Sequence, residues 1–107
     1  MTAWVYLFLA IAFEIAGTTL LKLSDGFEKS TYGMVSIAAY CGSFWLLAPA
    51  LKTIPVGVAY AIWAGVGILA ITLIGFFFFG QRLQFIQYAC ISLIVIGAVG
   101  LRLTTKA

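Results

Sequence analysis

The chain has 107 residues, of which 64% are hydrophobic and 8% are charged, and its formal net charge at pH 7 is +3. Soluble domains carry about 25% charged residues, so this composition excludes a soluble protein and indicates an integral protein of the lipid bilayer. The few basic residues lie near the ends of apolar runs and form no continuous basic face, so we expect no nucleic acid partner.

The first apolar run, at 4–21, contains Glu14 near its middle. At ~1.5 Å per residue the run is about long enough to cross a bilayer as a helix. A bare carboxylate at that depth costs at least ~2.5 kcal/mol, and such acids are usually functional. A purely structural carboxyl would need a partner, but the interiors of the other apolar runs contain no Lys, Arg or His. We therefore predict that Glu14 has a function.

Mostly small side chains share the helix face that carries Glu14. At helical spacing from the acid, Leu7 and Ala10 precede it and Gly17 and Thr18 follow it. Small residues let another helix or a ligand approach closely. We predict that these four residues line a substrate cavity, although ordinary helix packing would also account for Gly17.

Three further apolar runs follow, at 32–51, 56–79 and 83–103. We expect Pro49 to kink or end the second helix and Pro55 to lie at or just before the start of the third. The connections are short, so consecutive helices should be antiparallel neighbours. The sequence thus predicts an all-α fold in which residues 1–107 form one domain of four transmembrane helices.

Aromatic residues inside the second and third runs indicate a site for a cation. Tyr60 and Trp63 are three residues apart and share a face, and Tyr40 could complete an aromatic wall. Aromatic faces attract cations by ~0.5–2 kcal/mol each. The alternative is an interfacial aromatic belt, but Tyr60 and Trp63 lie a turn or two inside the run. An acid between aromatic walls is typical of a site for a lipophilic cation.

Two glycines, Gly65 and Gly67, lie in the interior of the third run. Glycine is a recognised cause of helix kinks, and a flexible point suits a helix that bends between two states. We predict a conformational kink at these residues.

One face of the fourth run forms a seam that we predict to be a dimer interface, although an intramolecular helix contact fits the spacing equally well. The seam consists of Cys90, Leu93, Ile94, Gly97 and Leu101. The two cysteines, Cys41 and Cys90, lack metal-ligand spacing and the chain has no His. We expect no metal and no cofactor.

Basic residues are balanced between the two sides of the membrane. Four crossings place both termini on one side. That side has Lys52, Arg102 and Lys106, and the other has Lys22, Lys29 and Arg82. By the positive-inside rule this tie predicts insertion in both orientations, although a tie can arise by chance. Four helices are too few to enclose a solvated pathway, and transporters commonly bind substrate between halves of inverted topology. We therefore predict a dual-topology, antiparallel homodimer.

The chain resembles the small multidrug resistance transporters of the quaternary-ammonium type over nearly its whole length. The residues that carry the resemblance are Glu14, Gly17-Thr18-Thr19, the run 22–27, Tyr40, Trp45, the run 54–57, the run 60–67 and the run 80–83. The resemblance implies a dual-topology antiparallel homodimer in a prokaryotic inner membrane that exchanges protons for cationic drugs, both bound at Glu14. It also implies that the three aromatic residues above line the cavity, that the glycine pair permits a kink and that the fourth helix dimerises.

Some positions depart from the family pattern. Cys90 stands where the family often has glycine, and Phe13 and Pro49 are unexpected in the drug-exporting type. The guanidinium-exporting relatives typically carry Trp one turn after the acid, whereas this chain has Gly17 and Thr18 there. That difference favours bulkier aromatic or quaternary cations.

The mechanism follows from Glu14 without the resemblance. Apolar surroundings disfavour the charged form of a carboxyl, and a proton or an organic cation would neutralise the same group. The two ligands therefore compete. We predict a proton-coupled antiporter that exports lipophilic, aromatic or quaternary ammonium cations, and not an enzyme. Open alternatives are a guanidinium or other small-cation exporter, a non-transporting membrane subunit and a channel.

Overall fold

The structure, a computed structural model, describes residues 2–105, and this part of the chain is built from four α-helices. They are α1 (Ala3–Leu23), α2 (Ser30–Ala50), α3 (Val56–Phe78) and α4 (Phe85–Thr104). All four are long and apolar enough to cross a membrane. The predicted number and type of elements is therefore confirmed. Lys106, which entered the count of basic residues, lies outside the described residues.

A compact turn returns the chain from α1 to α2. Asp25, Gly26 and Phe27 all have left-handed backbone conformations, with φ values of 51°, 67° and 69°. The buried hydroxyl of Ser24 accepts a hydrogen bond from the backbone N–H of Phe27 at 3.1 Å. The ring of Phe27 lies against Gly33, where an added Cβ would come within 2.5 Å of the ring. These contacts fix the start of α2 beside the end of α1.

The two prolines mark the connection between α2 and α3. Pro49 lies in the last turn of α2, and the helix ends one residue later, at Ala50. Proline lacks the N–H that would continue the helical ladder and clashes with the preceding turn. Pro55 is the N-cap of α3 and has a φ of −56°, which already suits a helix start. Both expectations for the prolines are confirmed.

The fourth helix begins two residues later than predicted because Gln84 caps it. The backbone N–H of Gln84 donates to the side-chain oxygen of Gln87 at 2.8 Å, and the side chain of Gln84 accepts a backbone hydrogen bond in return. This reciprocal pair is a capping box. It satisfies backbone groups at a helix end that would otherwise need water.

Contacts divide the chain into two units, Met1–Thr53 with α1 and α2, and Ile54–Ala107 with α3 and α4. The single four-helix domain over 1–107 stays a prediction. In the second unit, α3 approaches α4 closely at Gly65, where an added Cβ would collide with the Cβ of Ala98. Helix α3 is continuous through Gly65 and Gly67, both of which are buried. The kink at these glycines also stays a prediction.

We expect Gly65→Ala to lower the free energy of unfolding by about 1–3 kcal/mol, because the added methyl group overpacks the contact with Ala98. Thermal unfolding of the detergent-purified protein measures this change. Gly100→Ala is the matched control, since an added Cβ there meets nothing within 4 Å. Equal stability of the two variants would contradict the close approach of α3 and α4.

Candidate functional site

Three polar side chains meet between α1 and α2 around Glu14, which is half-buried. The hydroxyl of Thr18, one turn further along α1, donates to a carboxylate oxygen of Glu14 at 2.9 Å. The hydroxyl of Tyr40, on α2, lies 2.6 Å from the hydroxyl oxygen of Thr18. The structure therefore brings together three of the predicted site residues in one hydrogen-bonded chain.

The direction of donation in this chain follows from the number of protons. A Thr hydroxyl has one hydrogen to donate and two lone pairs that accept. When Thr18 donates its hydrogen to the Glu14 carboxylate, Tyr40 must donate to Thr18. Both hydroxyl dipoles then point toward the negative charge. Hydrogen bonds to a charged form favour that form, so the chain stabilises an ionised carboxylate in an apolar helix.

Gly17 allows this chain to form. An added Cβ at Gly17 would lie 3.3 Å from the backbone oxygen of Ser36 and 3.4 Å from the ring of Tyr40. A larger side chain would push α2 away from α1 at this level. Gly17 therefore packs against α2 in this structure, and its predicted place in a substrate cavity stays a prediction.

Two buried serines of α2 bracket the site, and the sequence analysis missed both. The hydroxyl of Ser36 donates to the backbone oxygen of Gly17 at 2.7 Å. The hydroxyl of Ser43 donates to the backbone oxygen of Ala10, also at 2.7 Å. Each serine is fully buried. Their position, four residues before and three after Tyr40, was the available signal, because this spacing places all three on one helix face.

The Ser43 bond reaches the peptide unit that supports Glu14 itself. In an α-helix the carbonyl of Ala10 accepts the backbone N–H of Glu14, four residues later. The Ser36 bond holds the carbonyl just before Thr18. The two bonds therefore fix the register of α1 against α2 on both sides of the acid.

The remaining predicted cavity residues on α1, Leu7 and Ala10, are shielded from solvent within the chain. Leu7 and Ala10 are fully buried, so their contact with a substrate stays a prediction. The unexpected Phe13 lies against α2, where an added Cβ on Gly42 would come within 3.4 Å of its ring. Phe13 thus lies against the neighbouring helix at a glycine that leaves room for it.

The aromatic residues of α3 belong to the second unit. Tyr60 is 77% exposed and Trp63 is half-buried. Their separation of three residues places them on one face of the continuous helix. Their place in a common cavity with Glu14 stays a prediction.

The predicted dimer seam is exposed along its whole length on α4. It consists of Cys90, Leu93, Ile94, Gly97 and Leu101. Leu93 is 70% exposed, and an added Cβ at Gly97 would meet nothing within 4 Å. The buried residue of α4 is Ala98, which faces Gly65 instead. The seam is therefore available to a second subunit or to lipid.

The carboxylate of Glu14 has acceptor positions to spare. Among residues 2–105, no basic side chain pairs with Glu14. A carboxylate offers about four acceptor positions, and the hydroxyl of Thr18 fills one. The remaining positions can receive a proton or the positive group of an organic cation.

Comparisons with known proteins agree with this chemistry. The family model described as Small Multidrug Resistance protein matches residues 2–94. The chain is 45% identical to the multidrug transporter EmrE of Escherichia coli K12, over 100% of this chain and 97% of that protein. It is 43% identical, with the same coverage, to the quaternary ammonium compound-resistance protein QacE of Escherichia coli. It is also 45% identical to the spermidine export protein MdtI of Klebsiella pneumoniae subsp. pneumoniae, over 94% of this chain and 91% of that protein.

We expect Ser36→Ala and Ser43→Ala each to lower the free energy of unfolding by about 0.6 kcal/mol, and by at most about 1.7 kcal/mol, the range of hydrogen bonds between membrane helices. Unfolding of the purified protein in mixed detergent micelles measures this loss. The matched control is Ser92→Ala, because Ser92 donates at 2.9 Å to a carbonyl of its own exposed helix. If Ser92→Ala lowered the free energy of unfolding by the same amount, the bonds between α1 and α2 would contribute no more to stability than a bond within one helix.

Proposed function

This chain belongs to the small multidrug resistance family, and we propose that it is a proton-coupled antiporter that exports lipophilic, aromatic or quaternary ammonium cations. The observation that carries the proposal is the carboxyl group of Glu14, bound by the hydroxyl of Thr18 and unpaired with any basic side chain of residues 2–105. We place the protein in a bacterial inner membrane, as a multi-pass protein with the four helices as spans.

The energetics of Glu14 explain why it would bind a cation. A carboxylate in the middle of a membrane-spanning helix costs at least ~2.5 kcal/mol. One hydrogen bond to a charged group returns about 1.5–3 kcal/mol, and it leaves the net charge in place. A proton or an organic cation removes the charge altogether. Either ligand is therefore favoured, and each excludes the other from the same oxygen atoms.

The hydroxyl chain suits both states of the acid. With an ionised carboxylate, Tyr40 donates to Thr18 and Thr18 donates to Glu14. After protonation the carboxyl group gains a donor of its own, so both hydroxyls can reverse without breaking a contact. The same three side chains thus hold the site together whether Glu14 is charged or neutral.

Antiport requires a second copy of the chain. The exposed seam of α4 and the balanced basic residues support an antiparallel homodimer in which two copies of Glu14 face one cavity. Two nearby carboxylates repel each other when both are charged, so a proton or a cation that neutralises one of them relieves this repulsion. If the dimer changes the side to which its cavity opens only when both acids are neutralised, an inward proton gradient drives cation export.

The aromatic residues support a lipophilic substrate. Tyr40, Tyr60 and Trp63 would offer aromatic faces to a cation, in addition to the charge of Glu14. The name of the relative QacE points to quaternary ammonium compounds. A second candidate is a small or polyamine cation, because a spermidine exporter is equally similar to this chain. Competition of tetraphenylphosphonium with spermidine and with guanidinium separates these substrates.

We expect the affinity for tetraphenylphosphonium to rise with pH, by about tenfold per pH unit for each proton that the cation displaces. Titration calorimetry on the purified protein across pH measures both the affinity and the released protons. Glu14→Gln should abolish binding at every pH. Glu28→Gln, the same change in the exposed α1–α2 turn, is the control and should bind like the unaltered protein. A pH-independent affinity would contradict the competition, and no binding of any cation would favour a non-transporting subunit.

We expect Tyr40→Phe to weaken tetraphenylphosphonium binding by about three- to tenfold, the weight of one hydrogen bond. The ring remains, but the hydroxyl that holds Thr18 toward Glu14 is lost. The measurement is made at high pH, where proton competition is smallest. Tyr32→Phe is the control, since Tyr32 is exposed on the same helix. If both variants lost the same affinity for tetraphenylphosphonium, the Tyr40 hydroxyl would have no specific role in binding.

A further inference from the structure

A groove runs along the face of α2 that points away from α1. Its volume is about 620 Å³, and it is lined by Cys41, Phe44, Trp45, Ala48, Pro49 and Lys52. Cys41, Trp45 and Pro49 are four residues apart, as are Phe44 and Ala48, so they form one continuous face of α2, and Lys52 follows just after the end of the helix. Ser36, Tyr40 and Ser43, which bond to α1, lie on a different face of the same helix. The groove is therefore separate from the candidate functional site.

We propose that this groove binds one anionic phospholipid, with an acyl chain along the aromatic residues and the phosphate at Lys52. The lining residues contribute two exposed aromatic side chains, Phe44 at 64% and Trp45 at 82% exposure. Exposed aromatic area of this size has to be covered by an apolar partner. In a membrane-spanning helix the partner that is always present is a lipid chain.

The length of the groove matches one leaflet of the membrane. Eleven residues separate Cys41 from Lys52, which corresponds to about 16 Å along the helix. The hydrocarbon core is about 30 Å thick, so the groove covers about half of it. Helix α2 ends at Ala50, just before Lys52. The Lys52 end therefore lies at the membrane surface and the Cys41 end near the midplane, as the phosphate and the chain end of one lipid do.

The charge of the groove selects an anionic headgroup. Lys52 is its one charged lining residue, and no acidic side chain lines it. Among residues 2–105, Lys52 has no ion-pair partner. At the end of α2 the carbonyls of Leu47, Pro49 and Ala50 already accept backbone N–H groups. The positive charge is thus available to a phosphate, and it disfavours an organic cation at this place.

The test compares the binding of phosphatidylglycerol and phosphatidylcholine with identical acyl chains, by native mass spectrometry of the whole protein. We expect a preference for phosphatidylglycerol of about fivefold, the weight of one lysine at an anionic surface. Lys52→Gln should remove the preference. Lys29→Gln, which removes the same charge at the opposite end of α2, should keep it. A preference that is absent, or that both variants lower equally, would overturn the proposal.

A second measurement locates the lipid. Phosphatidylglycerol with brominated chains should quench the tryptophan fluorescence of the protein more strongly than brominated phosphatidylcholine, and Trp45→Phe should remove this difference. If Trp45→Phe leaves the difference unchanged, the lipid binds elsewhere. If neither lipid quenches Trp45, another protein surface such as a second copy covers the groove, and the proposal is wrong. Neither measurement depends on transport.

Discussion

The hydrogen bond from Thr18 to the carboxylate of Glu14 is the interaction on which the candidate site depends. A charged group inside an apolar helix is tolerated only when nearby dipoles or a counter-charge stabilise it. Thr18 supplies one dipole directly, and Tyr40 reinforces it from the neighbouring helix. These dipoles stabilise the carboxylate without neutralising its charge, which is the condition that the proposed function requires. A basic partner from the chain itself would have neutralised the site permanently.

Close packing of α1 and α2 is what makes this support possible. The Tyr40 hydroxyl reaches Thr18 because Gly17 brings the two backbones together. In lipid there is no hydrophobic driving force between helices, so close contacts and hydrogen bonds determine their packing. Ser36 and Ser43 supply two such bonds, one on each side of the acid. A small residue and two hydroxyl groups thus do together what a large apolar core does in a soluble protein.

The two units of the chain differ in how their helices meet. Between α1 and α2 the contact is polar, through hydroxyl groups that bind backbone carbonyls. Between α3 and α4 the contact is a close apolar approach at Gly65 and Ala98. Polar interhelical bonds have preferred directions, whereas close apolar contacts constrain mainly distance. Glu14 therefore lies in the unit where hydrogen bonds fix both the distance and the register of the two helices.

The sequence by itself determined the four helices and their approximate bounds, and it singled out Glu14 as the residue whose function is proposed. Apolar runs of membrane length, the two prolines and an acid without a basic partner are local features, and each can be interpreted without knowing its neighbours in space. Helical spacing also placed Thr18 on the same face of α1 as the acid.

Only the tertiary structure decided which atoms meet across helices. Ser36 and Ser43 were missed because a hydroxyl in a helix can also bond to its own backbone, as Ser92 does. Phe13 departs from the family pattern, and only the structure shows that its ring lies against Gly42 of α2. Gly65, where a kink stays a prediction, also makes a close contact with α4 that the sequence did not indicate. Periodicity fixes the face on which a residue lies, but the register between two helices depends on the complementary shapes and hydrogen bonds of both.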